Sequence, residues 1–288
     1  MTPPFRHIAV VGLGMIGGSV LAAGRSRGLF GRATGADTDP AACAAAVSAG
    51  LVAEASPDAA AAARGADLLL LATPIESMAG AARAALPHLG RGAVVTDVGS
   101  VKGPVIAALR EPAAAAGVPF VPGHPIAGTE RSGLAAASAD LFAGRLAVVT
   151  PLAGTDEAAV ARVTELWRLL GATVLRMEPE AHDAAFAAVS HLPHLVVYAL
   201  LATLAEDPTL ADAALRLSGG GLRDTTRIGA SSPALWRGIC LANRRHLIEA
   251  IDAFSAQVTR LRAGLSAGDG DLVERTFASA KALRDRIG

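Results

Sequence analysis

Cysteine is nearly missing: Cys43 and Cys240 are the only two in 288 residues. They stand far apart, each in a helical pattern, and read as small buried hydrophobes. Excess charge is missing as well, with 26 Lys and Arg against 26 Asp and Glu. A surface built to coat nucleic acid or another polyanion is therefore not expected. No run of about 18 uninterrupted, strongly apolar residues occurs, so no membrane span is expected. The N-terminal MTPPFRH leads straight into a strand pattern and leaves no room for a secretory signal. No internal repeat stands out. Alanine supplies much of the 52% hydrophobic content, and it favours helices while burying little area per residue. The length allows about two domains, and the composition fits the reducing cytoplasm.

What the chain does contain is HIAVVGLGMIGGSVL at 7–21. A β-branched, apolar strand pattern runs into Gly12, Gly14 and Gly17 at G-x-G-x-x-G spacing, followed by an apolar helix pattern. The first glycine permits a tight turn, the second lets backbone approach a pyrophosphate, and the third lets the helix lie close on the strand. The helix start offers N–H groups and partial positive charge to that pyrophosphate. Asp37 follows about 20 residues later, at the place of the carboxylate that accepts from a ribose 2′-hydroxyl. The predicted cofactor site is thus Gly12, Leu13, Gly14, Met15, Ile16, Gly17 and Asp37. A carboxylate at 37 would repel a 2′-phosphate, and no arginine follows in Thr38-Asp39-Pro40, so NAD is expected rather than NADP.

Strand patterns at 32–37, 67–72, 93–97, 120–121, 146–150 and 173–177 alternate with helix patterns at 40–50, 75–86, from Pro104, and 156–170. This is the alternation of an α/β domain with a doubly wound parallel sheet. Ligands of such sheets lie beyond the carboxyl ends of the strands. Gly12, Asp37, Thr73-Pro74, Gly99-Ser100 and Gly123-His124 all fall there, which adds Thr73 and Pro74 to the cofactor site. Past Met177 the β signal stops. Helices are expected at 179–204, with Pro193 inside, at 210–217, 233–263 and 271–287. Residues 1–177 are thus expected as a dinucleotide-binding domain and 178–288 as an all-helical one. The helical part is small for its two long apolar faces, so homodimerisation through it is expected.

Hydride transfer needs a group that takes a proton, and His124, in an expected loop between Gly123 and Pro125, suits that role. A solvated loop histidine would look the same. Ser100 could orient the reacting groups or cap the helix from Pro104. His191 and His194, at i and i+3, could chelate zinc, yet no cysteine or acidic cluster completes a tetrahedral site, and no metal is expected. Arg223 and Arg227 flank Asp224-Thr225-Thr226 in an expected loop, where a guanidinium could clamp a carboxylate. Arg244-Arg245-His246 read as a solvated stripe.

With these motifs in view, the chain resembles the prephenate/arogenate dehydrogenase family of tyrosine biosynthesis. GLGMIGGS, DVGSVKG (97–103), GHPIAGTERSG (123–133), SHLPH (190–194) and GGGLRDTTRIGASSPALW (219–236) carry the likeness in order. The resemblance implies NAD-dependent oxidative decarboxylation of a cyclohexadienol. His124 would accept the ring hydroxyl proton, Ser100 would assist it, and Arg227 would clamp a substrate carboxylate, with His194 and Thr129 lining the pocket. It also implies that the helical domain dimerises. Glu130 is the candidate discriminator between prephenate and arogenate, with prephenate favoured. Two other readings remain. A β-hydroxyacid or imine-reducing dehydrogenase would carry a lysine or aspartate donor where SHLPH stands. A non-catalytic NAD-sensing regulator would need neither His124 nor Arg227.

Overall fold

The computed structural model describes residues 3–129 and 131–287. Phe5–Val11 (β1), Phe30–Ala36 (β2), Glu54–Ser56 (β3), Leu68–Leu71 (β4), Val94–Asp97 (β5) and Phe120–Val121 (β6) form one sheet of order β3-β2-β1-β4-β5-β6. Every pairing in it is parallel. Strand order reverses beside β1, which makes the crevice there the topological switch point. β4 is four consecutive leucines, all fully buried, because a parallel strand is covered on both faces.

Met15–Ser26 (α1), Pro40–Ser48 (α2), Ala59–Ala63 (α3), Ile75–Ala85 (α4), Lys102–Ala115 (α5) and Glu157–Leu169 (α6) accompany the strands. Side chains alternate across the sheet. Ile8, Val10, Leu68 and Leu70 pack with Val20 and Trp167 on one face, while Ala9, Val11, Leu69 and Leu71 pack with Met78 and Leu109 on the other. Gly123–Ile126 (β7), Leu146–Val149 (β8) and Thr173–Arg176 (β9) make a second, three-stranded sheet, antiparallel between β7 and β8 and parallel between β8 and β9. Two features depart from expectation. Residues 123–126 are a strand rather than a loop, and β3 was not anticipated, since three residues are too short to show an alternation.

After β9 the chain is helical: Pro179–Phe186 (α7), a π-helical turn at Ala187–His191, then Leu192–Glu206 (α8), Pro208–Leu217 (α9) and Gly220–Thr226 (α10). A 3-10 turn at Arg227–Ala230 leads to Pro233–Ala242 (α11), Arg244–Ala267 (α12) and Gly270–Ile287 (α13). Pro193 lacks the N–H that a regular helix would use, and the π turn just before it absorbs the mismatch. The expected single helix at 233–263 is broken at Asn243, which leaves helical geometry at φ −105° and ψ 27°. Gly268, at φ 66°, closes α12 in the left-handed conformation, and α13 folds back with Leu272 against Gly264.

Together α7, the π turn and α8 form a 28-residue helix, Pro179–Glu206, long and apolar enough by composition alone to cross a bilayer. Its first half instead carries the buried polar groups His182 and Asp183, which reach the sheet domain, and His191, which meets Asn243 of the helical half.

Candidate active site

The glycine-rich turn has the geometry that its spacing promised. Gly12 stands at φ 101°, and a Cβ there would lie 2.5 Å from the Ala72 carbonyl. A Cβ on Gly17 would sit 2.0 Å from the Gly12 oxygen, whereas one on Gly14 would meet nothing within 4 Å. The second glycine thus faces open space at the start of α1, where no side chain caps the helix and no acidic residue stands in the first turn. That is a cradle shaped for phosphate. Asp37, at the end of β2, accepts from the Leu13 N–H through Oδ2 at 2.7 Å and from the Asp39 N–H through Oδ1 at 3.0 Å. Its carboxylate is thereby held against the turn with acceptor capacity to spare. Beyond β4, Pro74 precedes α4, and the Thr73 hydroxyl is buried with no partner among the described residues. The donors and space present fit a dinucleotide.

At the end of β5 sits a buried ion pair, Asp97 and Lys102 of DVGSVKG. Lys102 Nζ lies 2.5 Å from Asp97 Oδ2 and 2.5 Å from the Gly123 carbonyl oxygen, with both side chains wholly buried. Asp97 also accepts from the Gly99 and Gly123 N–H groups. Burial pushes the Lys102 ammonium below its usual value, and the facing Asp97 works against that shift. Lysine and aspartate in DVGSVKG were legible as charges, but only Ser100 had been read as functional. Ser100 is half-buried and caps nothing, because α5 starts at Lys102 rather than Pro104, with Val101 in the cap position. The early start has a cause in the other half of the chain: the Asp183 carboxylate accepts from the Lys102 N–H at 2.7 Å and the Gly103 N–H at 2.8 Å.

His124 therefore lies on β7, next to Gly123, and is only 8% exposed. Its Nδ1 is 2.9 Å from His182 Nε2, and His182 Nδ1 is 2.8 Å from Asp183 Oδ1. Phe186 packs against both rings. Desolvation, and then the positive charge of Lys102, hold the His124 pKa well below the usual histidine value. The ring is thus a neutral hydrogen-bond acceptor at physiological pH.

The network continues into the helical half. Asn243 donates from Nδ2 to the Asp183 carbonyl at 2.7 Å, and His191 Nδ1 lies 3.1 Å from the same nitrogen. This explains the break between α11 and α12. His246 is buried between Asn243 Oδ1 and Glu180, while Arg244 is exposed and Arg245 pairs with Glu180 at the surface, so of 244–246 only the histidine leaves the solvated stripe. Burial lowers the His191 pKa to about 4. His194 does not share a ligand direction with His191: its Nδ1 faces the Ser190 carbonyl at 2.9 Å, and its ring stacks on Trp236 at 3.5 Å.

Arg223 lies in α10 and Arg227 opens the 3-10 turn, so neither stands in a loop. Arg227 is close enough to His194 for its charge, after burial, to help lower that ring's pKa. Thr129 is exposed and sits against the cofactor turn, 3.5 Å from Met15 Sδ. Glu130 lies outside the described residues. A separate cavity of about 1160 Å³, bordered by Arg91, Glu111 and Arg162 at the opposite end of the sheet, holds none of these groups.

A parallel sheet with this strand order, a glycine-rich turn feeding α1, and a buried histidine where helices meet the strand ends define a two-domain dinucleotide-binding protein of the dehydrogenase class. The chain belongs to the prephenate dehydrogenase family: the family's nucleotide-binding domain matches residues 22–176 and its dimerization domain residues 178–279. It is 34% identical over 284 residues to the cyclohexadienyl dehydrogenase of Zymomonas mobilis, covering 97% of this chain and 95% of that protein. The crystal structure of Aquifex aeolicus prephenate dehydrogenase in complex with hydroxyphenyl propionate and NAD+ superposes with a TM-score of 0.91 at 33% identity, covering all of both chains. Synechocystis arogenate dehydrogenase gives 0.81 at 32% identity, covering 98% of this chain and all of that one.

Proposed function

We propose that this protein oxidises and decarboxylates prephenate, and accepts arogenate as a second substrate, in tyrosine biosynthesis. NAD, when bound, supplies the hydride acceptor. The observation that carries the reading is the buried His124 at the junction of the sheet and the helices, 2.9 Å from His182. Gly12, Leu13, Gly14, Met15, Ile16 and Gly17 hold the pyrophosphate, with Thr73 and Pro74 beside it. Asp37 accepts from the ribose 2′-hydroxyl and disfavours a 2′-phosphate.

His124 takes the ring hydroxyl proton as hydride leaves the same carbon. The carbon–carboxylate bond then breaks, carbon dioxide departs, and the electron pair makes the ring aromatic. The proton on His124 is available to the phenolate oxygen that remains. Ser100 orients the reacting groups, Arg227 holds a substrate carboxylate, and His194 and Thr129 line the pocket.

The division falls at 177/178, between β9 and α7. The helical half pairs with a second copy, which would cover Leu215 (82% exposed), Leu217 (80%) and Phe277 (60%). The same reading places the protein in the cytoplasm, where Cys43 and Cys240 stay free thiols. Purified protein with NAD and prephenate should generate the NADH absorbance band. No signal with prephenate or arogenate would remove the assignment.

A further inference from the structure

His124 makes one contact that proton acceptance does not itself require, the 2.9 Å approach of its Nδ1 to His182 Nε2. The polarity of that contact is set from the far end. Asp183 accepts from the Lys102 and Gly103 N–H groups, and an ionised carboxylate can only accept. Burial works to raise its carboxyl, but hydrogen bonds from His182 and the two backbone groups outweigh it and hold it below the usual carboxylate range. His182 must then donate to Asp183 from Nδ1. A neutral imidazole that donates at one nitrogen accepts at the other, so His182 Nε2 receives the Nδ1–H of His124. The lone pair of His124 is left on Nε2.

We propose that His182 and Asp183 are positioning residues that hold His124 in the Nδ1–H tautomer and so make Nε2 the nitrogen that meets the substrate hydroxyl. This rests on the reading of His124 as the proton acceptor. The groups that face the pair are His124 from β7, Lys102 from α5 and, through Asn243, His191 from the π turn. Burial, Lys102, His182 and His191 all oppose positive charge on His124. When the proton arrives at Nε2, the Nδ1–H remains in place and no bond in His182 or Asp183 breaks. The same carboxylate anchors the start of α5, so one side chain sets both ring orientation and the contact between the two halves.

The test is the nitrogen-15 NMR spectrum of histidine-labelled protein, assigned with His124→Asn and His182→Gln, together with kinetics of position 182. In the wild type, Nδ1 of His124 should carry the proton and Nε2 the lone pair. His182→Phe should lower kcat about 10- to 10³-fold, within what a general base supplies, while KM moves less than about threefold. His182→Gln, whose amide oxygen can accept the Nδ1–H, should recover about fivefold or more of that loss. A proton on His124 Nε2 in the wild type, or a His182→Phe enzyme within about twofold of normal kcat, would overturn the proposal. If His182→Phe does not fold, the wild-type spectrum alone decides. The two readings fail separately: full turnover by His124→Asn removes the acceptor role, whereas an Nε2–H His124 removes only the positioning.

Discussion

Lys102 donates from its ammonium to the carbonyl oxygen of Gly123, the residue immediately before His124, over 2.5 Å. The ammonium is neutralised by Asp97, and both are sealed from solvent. A buried ion pair of this kind adds little net stability over apolar residues, but losing one partner strands the other charge.

Lys102→Met is accordingly expected to destabilise the protein by about 3–5 kcal/mol, because the Asp97 carboxylate stays buried without its cation. Urea unfolding of the variant beside the wild type measures this. A loss under about 1 kcal/mol would show that Asp97 is satisfied by its backbone donors alone.

Stability should fall as the solution is acidified from pH 6.5 towards 4. Burial holds His191 at about 4 and His124 well below its ordinary value. Between the folded and unfolded pKa values the unfolded chain binds more protons, so the stabilisation is complete above 6.5 and disappears through that window. His191 alone accounts for about 3 kcal/mol across it. Denaturant midpoints at pH 7 and pH 4.5 measure the change, and equal midpoints would contradict the burial of neutral rings.

Arg227→Ala should act on KM, with a loss of about 1.5–3 kcal/mol from a charge-assisted bond to a substrate carboxylate. That corresponds to a rise of about 10- to 150-fold in KM with kcat largely retained. Steady-state kinetics with prephenate decide the matter, and an unchanged KM means the carboxylate is held elsewhere.

The sheet was legible because each signal was local: the glycines at 12, 14 and 17 and the four leucines of β4 declare themselves without knowledge of the rest. The site was legible only in part. His124 stood out by type and position, but its place on β7 depends on Asp97 and Lys102 gripping Gly123 from 21 or more residues away. The start of α5 was misplaced by two residues because its cap, Asp183, is 81 residues distant from Lys102. His182 and Asp183 fall in none of the motifs that carry the family likeness. Asn243 gave no helix-breaking signal of the strength of proline or glycine, since its break is enforced by partners from two other segments. Long-range polar contacts of this kind leave no periodicity in the chain.

The most direct measurement is turnover of His124→Asn with NAD and prephenate, beside the wild type, followed as NADH formation. A neutral acceptor at the reacting hydroxyl predicts a kcat lower by about 10²–10⁴-fold with a modest change in KM. Turnover equal to the wild type would contradict it.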